Sequence, residues 1–187
     1  MIKDTITFVT NHLQKTQNDI DTWFDKPISL RTYRPQNDGW TINEILEHIS
    51  LTNHFLLILI EKGTRKALNK NTPTALATIQ KNYDFNQAAL DKIGQPTTFQ
   101  WMRPEHHQPS GNVDMSVIQE KLTAQFNQCL EVLKKLPNGE GALHKTTMSV
   151  NDLGKIDVYQ YIYFLSKHAE RHIRQMEKNL IENGELG

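Results

Sequence analysis

Apolar residues recur at steps of three and four along nearly the whole chain, and this spacing limits the fold more than any other feature. Ile2, Ile6, Val9, Leu13, Ile20 and Phe24 place one apolar side on a helix, which the spacing predicts over about residues 2–22. Asp25 to Trp40, with Pro27, Pro35 and Asn37-Asp38-Gly39, reads as a loop. Thr41 followed by Glu44 is a capping-box signature and opens a second helix. Ile45, Ile49, Phe55, Leu56 and Leu59 continue its inward stripe, and Gly63 marks an end nearby. Thr72-Pro73 opens a third helix with proline at its first position; Leu76, Ile79, Tyr83 and Leu90 line it, and Gly94 and Pro96 close it. A fourth runs over about Asp114 to Leu136, with Val117, Leu122, Phe126, Leu130 and Leu133 inward. A fifth starts near Asp157 and carries Tyr161, Leu165, His168, His172 and Met176 down one side.

There is no repeat and no β-type alternation of any length. The pattern predicts an all-α, up-down four-helix bundle with one additional shorter helix, as a single domain over residues 1–187. The connection from Gly94 to Asn112 is long, as functional connections tend to be.

Composition narrows the classes of partner. Lys plus Arg and Asp plus Glu both number 21, so the basic surplus that nucleic-acid binding requires is missing, and no nucleic-acid partner is expected. The most apolar stretch, Phe55 to Ile60, is far shorter than the ~20 residues of a membrane span, and the N-terminus lacks a signal-peptide pattern. Cys129 is the single cysteine, which fits a reducing compartment. The expectation is a soluble, cytoplasmic protein without a membrane partner. Leu51, Leu57 and Ile58 lie off the main inward line and point to a two-fold homodimer.

Eight histidines are present, but only His168 and His172 stand four apart, the spacing that stacks two imidazoles on one helix face. Such a composition produces about a third of one such pair by chance, so spacing alone leaves open two hydrogen-bonded core histidines or a pair on a solvated face. His48 shares the stripe of Ile45 and is the best third ligand. Three neutral imidazoles would hold one divalent ion and leave coordination positions open. Zinc or nickel suits this donor set first, then iron or copper. A zinc-protease helix needs glutamate directly after the first histidine; Ala169 stands there, and Glu170 lies about 200° round the helix from His168. His106 and His107 are adjacent in the long loop and are expected to face solvent. His12, His54 and His144 have no partner at ligand spacing. Cys129 is expected to be a buried, inert thiol.

Residues 34–49 read RPQNDGWTINEILEHI and residues 168–176 read HAERHIRQM. Together they resemble the DinB-like superfamily of four-helix metalloproteins, with its branches similar to bacillithiol S-transferases and to metal-dependent hydrolases. There an Arg-Pro turn leads to tryptophan, Ser or Thr, glutamate and a first histidine, and a late helix supplies two more, often followed by glutamine. Arg34, Pro35, Trp40, Thr41, Glu44, His48, His168, His172 and Gln175 match that order.

The resemblance implies that the two histidine-bearing helices are neighbours and that His48, His168 and His172 hold the metal. It implies a small-molecule substrate: a low-molecular-weight thiol joined to a small electrophile, or a water-dependent hydrolysis, or a non-catalytic, stress-related bundle with a vestigial site. No catalytic residue is assigned. Glu44, Gln175, Trp40 and Arg34 are pocket or supporting candidates, each with a plainer role: capping for Glu44, a bond to a neighbouring helix for Gln175, core packing for Trp40 and a salt bridge for Arg34. The stretch Trp101-Met102-Arg103-Pro104 matches nothing in the family pattern.

Overall fold

The computed structural model describes residues 1–95 and 107–184. Its α-helices are α1 (Ile2–Phe24), α2 (Ile28–Arg31), α3 (Ile42–Leu68), α4 (Pro73–Asn82), α5 (Gln87–Asp91), α6 (Met115–Lys135) and α7 (Val158–Glu182). The helix openings read at Thr41 and Thr72 form as expected, and a capping box not read from sequence closes the start of α7. Thr41 and Glu44 satisfy each other's backbone N–H at the start of α3, Thr72 Oγ1 accepts from Ala75 ahead of Pro73, and Asp157 with Gln160 closes a capping box on α7.

α1, α3, α6 and α7 are the long helices, and they form an all-α bundle in which α1 and α3 each pack against both α6 and α7. Ile2, at the start of α1, lies against Gly139 just past the end of α6. Gln125 of α6 donates to the Ser50 carbonyl of α3 at 2.9 Å, and Glu47 near the start of α3 accepts from the residues that lead into α6. α3 and α6 therefore run the same way, and α1 and α7 run opposite to them. The order is up, down, down, up instead of strict alternation. This accounts for the long connection between them: α3, at 27 residues, is about 40 Å long, and the chain must travel back along the bundle before α6 can start beside it.

Other expectations are revised. Gly63 does not end α3; it is buried inside the helix, and a Cβ there would lie 3.2 Å from Val158 Cγ2, so it marks the close approach of α3 to α7. The third predicted helix is broken after Asn82 by an extended Tyr83 and a left-handed Asn86 (φ 46°), which lets Phe85 turn its carbonyl to Gln160 (2.7 Å). Val117 is exposed, and Ile118 takes the inward position on α6. The loop before α7 contains an antiparallel hairpin, Lys145–Met148 with Gly154–Asp157; strands this short show no measurable alternation.

α7 is the central element. Every residue from Val158 to Ala169 is buried, because the 87–95 segment and the hairpin cover the side that α1 and α3 leave open. Its polar groups reach out to that cover: Tyr161 donates to the Thr147 carbonyl at 3.0 Å, and Tyr163 to Asp91 at 2.6 Å. Among the described residues, no helix is long and apolar enough to cross a membrane.

Candidate metal centre

His168 and His172 stack on consecutive turns of α7, and His48 meets them from α3. Ring centroids lie 4.6 Å apart for His168–His172, 4.6 Å for His48–His172 and 5.4 Å for His48–His168. The rings are only 2–6% exposed, and one nitrogen from each falls within 4.8 Å of the other two. The cluster can hold a metal ion. The Nε2 atoms of His168 and His172 are 3.2 Å apart; two ligands on bonds of about 2.0–2.1 Å have this separation when they subtend about 100°, near the tetrahedral value.

Hydrogen bonds on the far sides of the rings decide which nitrogen is offered. His48 Nδ1 lies 2.7 Å from the His107 carbonyl. A carbonyl only accepts, so Nδ1 carries a proton, and in the neutral ring that leaves the lone pair on Nε2. His172 Nδ1 likewise donates to Gln175 Oε1 at 2.9 Å. Such bonds fix tautomer and ring orientation in metal sites. Burial, reinforced by His172, His48, His107 and Arg171, holds the pKa of His168 well below the ordinary histidine value. It is therefore neutral at pH 7, as a ligand must be.

Around this centre the sequence candidates separate. Trp40 packs against His48 with ring centroids 4.7 Å apart and planes inclined by 44°, and Asn179 of α7 secures it by donating to its carbonyl at 2.9 Å. Gln175 touches His172 directly. Arg34 and Glu44 belong to the helix start: Arg34 Nη2 donates to Glu44 Oε1 at 2.7 Å, and Glu44 Oε2 accepts from the Thr41 N–H at 2.7 Å. Burial alone would raise the Glu44 pKa, but these bonds lower it.

Sequence reasoning missed two residues. His107 is half-buried, its carbonyl on His48 and its ring 4.9 Å from Phe55, where solvent exposure was expected. Glu47 is buried and accepts from Ser110 N, Ser110 Oγ and Gly111 N, each at 2.9 Å. A glutamate directly before a ligand histidine was the available signal, but nothing in sequence says which loop it meets. His106 and Trp101 to Pro104 lie outside the described residues.

The remaining candidates are remote from the centre. Cys129 is buried, and burial pushes its thiol pKa up to about 12. His54 is exposed, and His144 lies beside Lys70. Glu170 faces α1, where it pairs with His12 (2.9 Å), and it also pairs with Lys167 one turn back on α7 (2.7 Å). Burial opposes its charge, but these partners outweigh burial and hold its pKa down to about 2. A carboxylate whose folded pKa lies below its unfolded value stabilises the fold above about pH 4.5 and loses that contribution as pH falls towards 2. Glu170→Gln is therefore expected to cost about 2 kcal/mol at pH 7, after discounting for partial exposure, and much less at pH 3. Urea denaturation at the two pH values checks this; equal losses at both would refute it.

The sequence model of the DinB superfamily matches residues 12–176, a span that includes all three histidines. Neither a curated protein nor a solved structure shows significant similarity to the chain. With the match covering most of the chain, and with its helical bundle and histidine cluster in place, the protein belongs to the DinB superfamily.

Proposed function

We propose that the protein binds one divalent metal ion, zinc or nickel by preference, through Nε2 of His48, His168 and His172. We propose further that it is a metal-dependent transferase joining a low-molecular-weight thiol to a small electrophile. The observation that carries this reading is the convergence of three imidazoles from two helices, a donor set that leaves coordination positions for a reactant. A divalent ion bound there acts as a Lewis acid and lowers the pKa of a thiol or water molecule beside it.

The chain's own contribution is orientation and exclusion of water. The His107 carbonyl and Gln175 hold two of the rings, and the indole of Trp40 walls the side of His48. The nearby carboxylates favour a thiol over water as the nucleophile. Glu44 is occupied by Arg34 and the helix cap, and Glu47 by Ser110 and Gly111. Neither serves as a general base. A thiol, with its pKa near 8.5, needs far less help than water to ionise. A homodimer is also proposed, supported by the exposed Ile58 on α3, although Leu57, expected beside it at the surface, is buried in the core of the single chain; light scattering reads its mass.

The test is elemental analysis of protein purified without added metal, followed by thiol conjugation to aryl halides and epoxides. Metal-dependent conjugation that His172→Ala abolishes is expected. Metal-dependent ester or amide hydrolysis without conjugation would replace this reading with a hydrolase. Bound metal with neither activity would leave a non-catalytic bundle.

A further inference from the structure

Glu47 precedes His48 on α3, so the two side chains leave the helix about 100° apart. His48 points into the bundle. Glu47 instead meets the segment 107–112, which leads into α6. Glu47 is 5% exposed, and its carboxylate bonds are all to that segment: Oε1 accepts from Ser110 N and Ser110 Oγ, and Oε2 from Gly111 N. Three residues before Ser110, the same segment presents the His107 carbonyl to His48 Nδ1 at 2.7 Å. Gly111 has φ +70°, and a Cβ there would come within 3.2 Å of Glu44 Oε1. The tight turn is thus seated between two successive glutamates of α3.

From this chain of bonds we infer that Glu47 is a positioning residue for the metal centre: it clamps the 107–112 segment onto α3, so that the His107 carbonyl holds the His48 proton on Nδ1 and aims Nε2 at His168 and His172. The inference rests on the proposed metal site for its purpose, but not for its geometry. Charge-assisted hydrogen bonds to a carboxylate are stronger than those between neutral groups, and the ionised carboxylate has acceptor capacity for all three donors. A histidine whose outer nitrogen loses its acceptor is released to the other tautomer and to other ring orientations. A proton on Nε2 blocks the nitrogen that a metal would use.

The experiment uses full-length protein and two readouts. In metal-free protein, long-range proton–nitrogen correlation spectra report the tautomer of His48. Zinc alone, titrated against a chromophoric chelator, reports affinity. The parent is expected to show Nδ1–H at His48. Glu47→Ala is expected to give a mixture of tautomers and a 10- to 100-fold loss of zinc affinity. Glu47→Gln keeps one acceptor oxygen and should fall between them. It carries the test alone if the alanine variant does not fold. Glu140→Gln is the control: Glu140 is also a buried carboxylate bonded to a turn, through Asn138 N and Nδ2, but at the opposite end of the bundle, and it should change neither readout. A folded Glu47 variant with the parent's His48 tautomer and zinc affinity within twofold of the parent would overturn the inference. Absence of zinc binding by the parent would instead defeat the metal reading, while the tautomer comparison would still decide the role of Glu47.

Discussion

Replacing His48, His168 or His172 by alanine is expected to reduce zinc or nickel affinity by at least about 100-fold, because loss of a ligand costs more than the 10- to 100-fold typical of the groups that orient one. The three positions are not equivalent in the apo protein. His168 is the most buried of the three rings, so His168→Ala also opens a cavity in the core and should lower stability. His48→Ala removes the one ligand on α3 and leaves the helical pair intact. His54→Ala and His144→Ala should leave affinity unchanged. A chelator competition assay measures all five variants. Binding by His48→Ala as tight as the parent's would show that the ion, if present, sits elsewhere. Loss of metal in all three variants with full retention of activity would separate the site from catalysis.

At the other end of α7, Tyr159→Phe is expected to destabilise the protein by about 3 kcal/mol, a fall in Tm of roughly 10 °C. The Tyr159 hydroxyl donates to the Leu136 carbonyl at 2.6 Å and accepts from Gly141 N at 3.2 Å. It thereby joins the end of α6 to the turn that follows and to the start of α7. All three residues are buried, so phenylalanine would leave two backbone groups without partners where water does not reach. Tyr159 lies about 20 Å along the helix from His172, and the metal affinity of the variant should equal the parent's. Thermal unfolding together with zinc titration checks both halves. Unchanged stability would mean that water replaces the hydroxyl at no cost.

The helix starts at Thr41, Thr72, Asp114 and Asp157 were legible because a cap is a local event, decided by residues within one turn. The apolar stripes were legible because burial on one face imposes a period. The stacking of His168 on His172 follows from that period. By contrast, Gly63 read as a stop signal and is a contact point, since its meaning depends on Val158, which is distant in sequence. The first half of α7 shows how periodicity can mislead. It is buried on every side, and Tyr159, Tyr161, Tyr163 and Gln160 bond to partners from other parts of the chain that no pattern within the helix reveals.

The sequence by itself determined the helical class, the cap positions, the placement of two histidines on one face and the inward direction of a third. Each depends on interactions within a few residues, where backbone geometry leaves little freedom. Tertiary structure alone decided that His48 stands level with His168 and His172, that Glu170 finds His12 as its partner, and that the segment 107–112 returns under Glu47 to place a carbonyl on His48. Those outcomes depend on how far the chain travels between helices and on which buried polar groups find partners at the end of that path, and neither is recorded in the spacing of the residues.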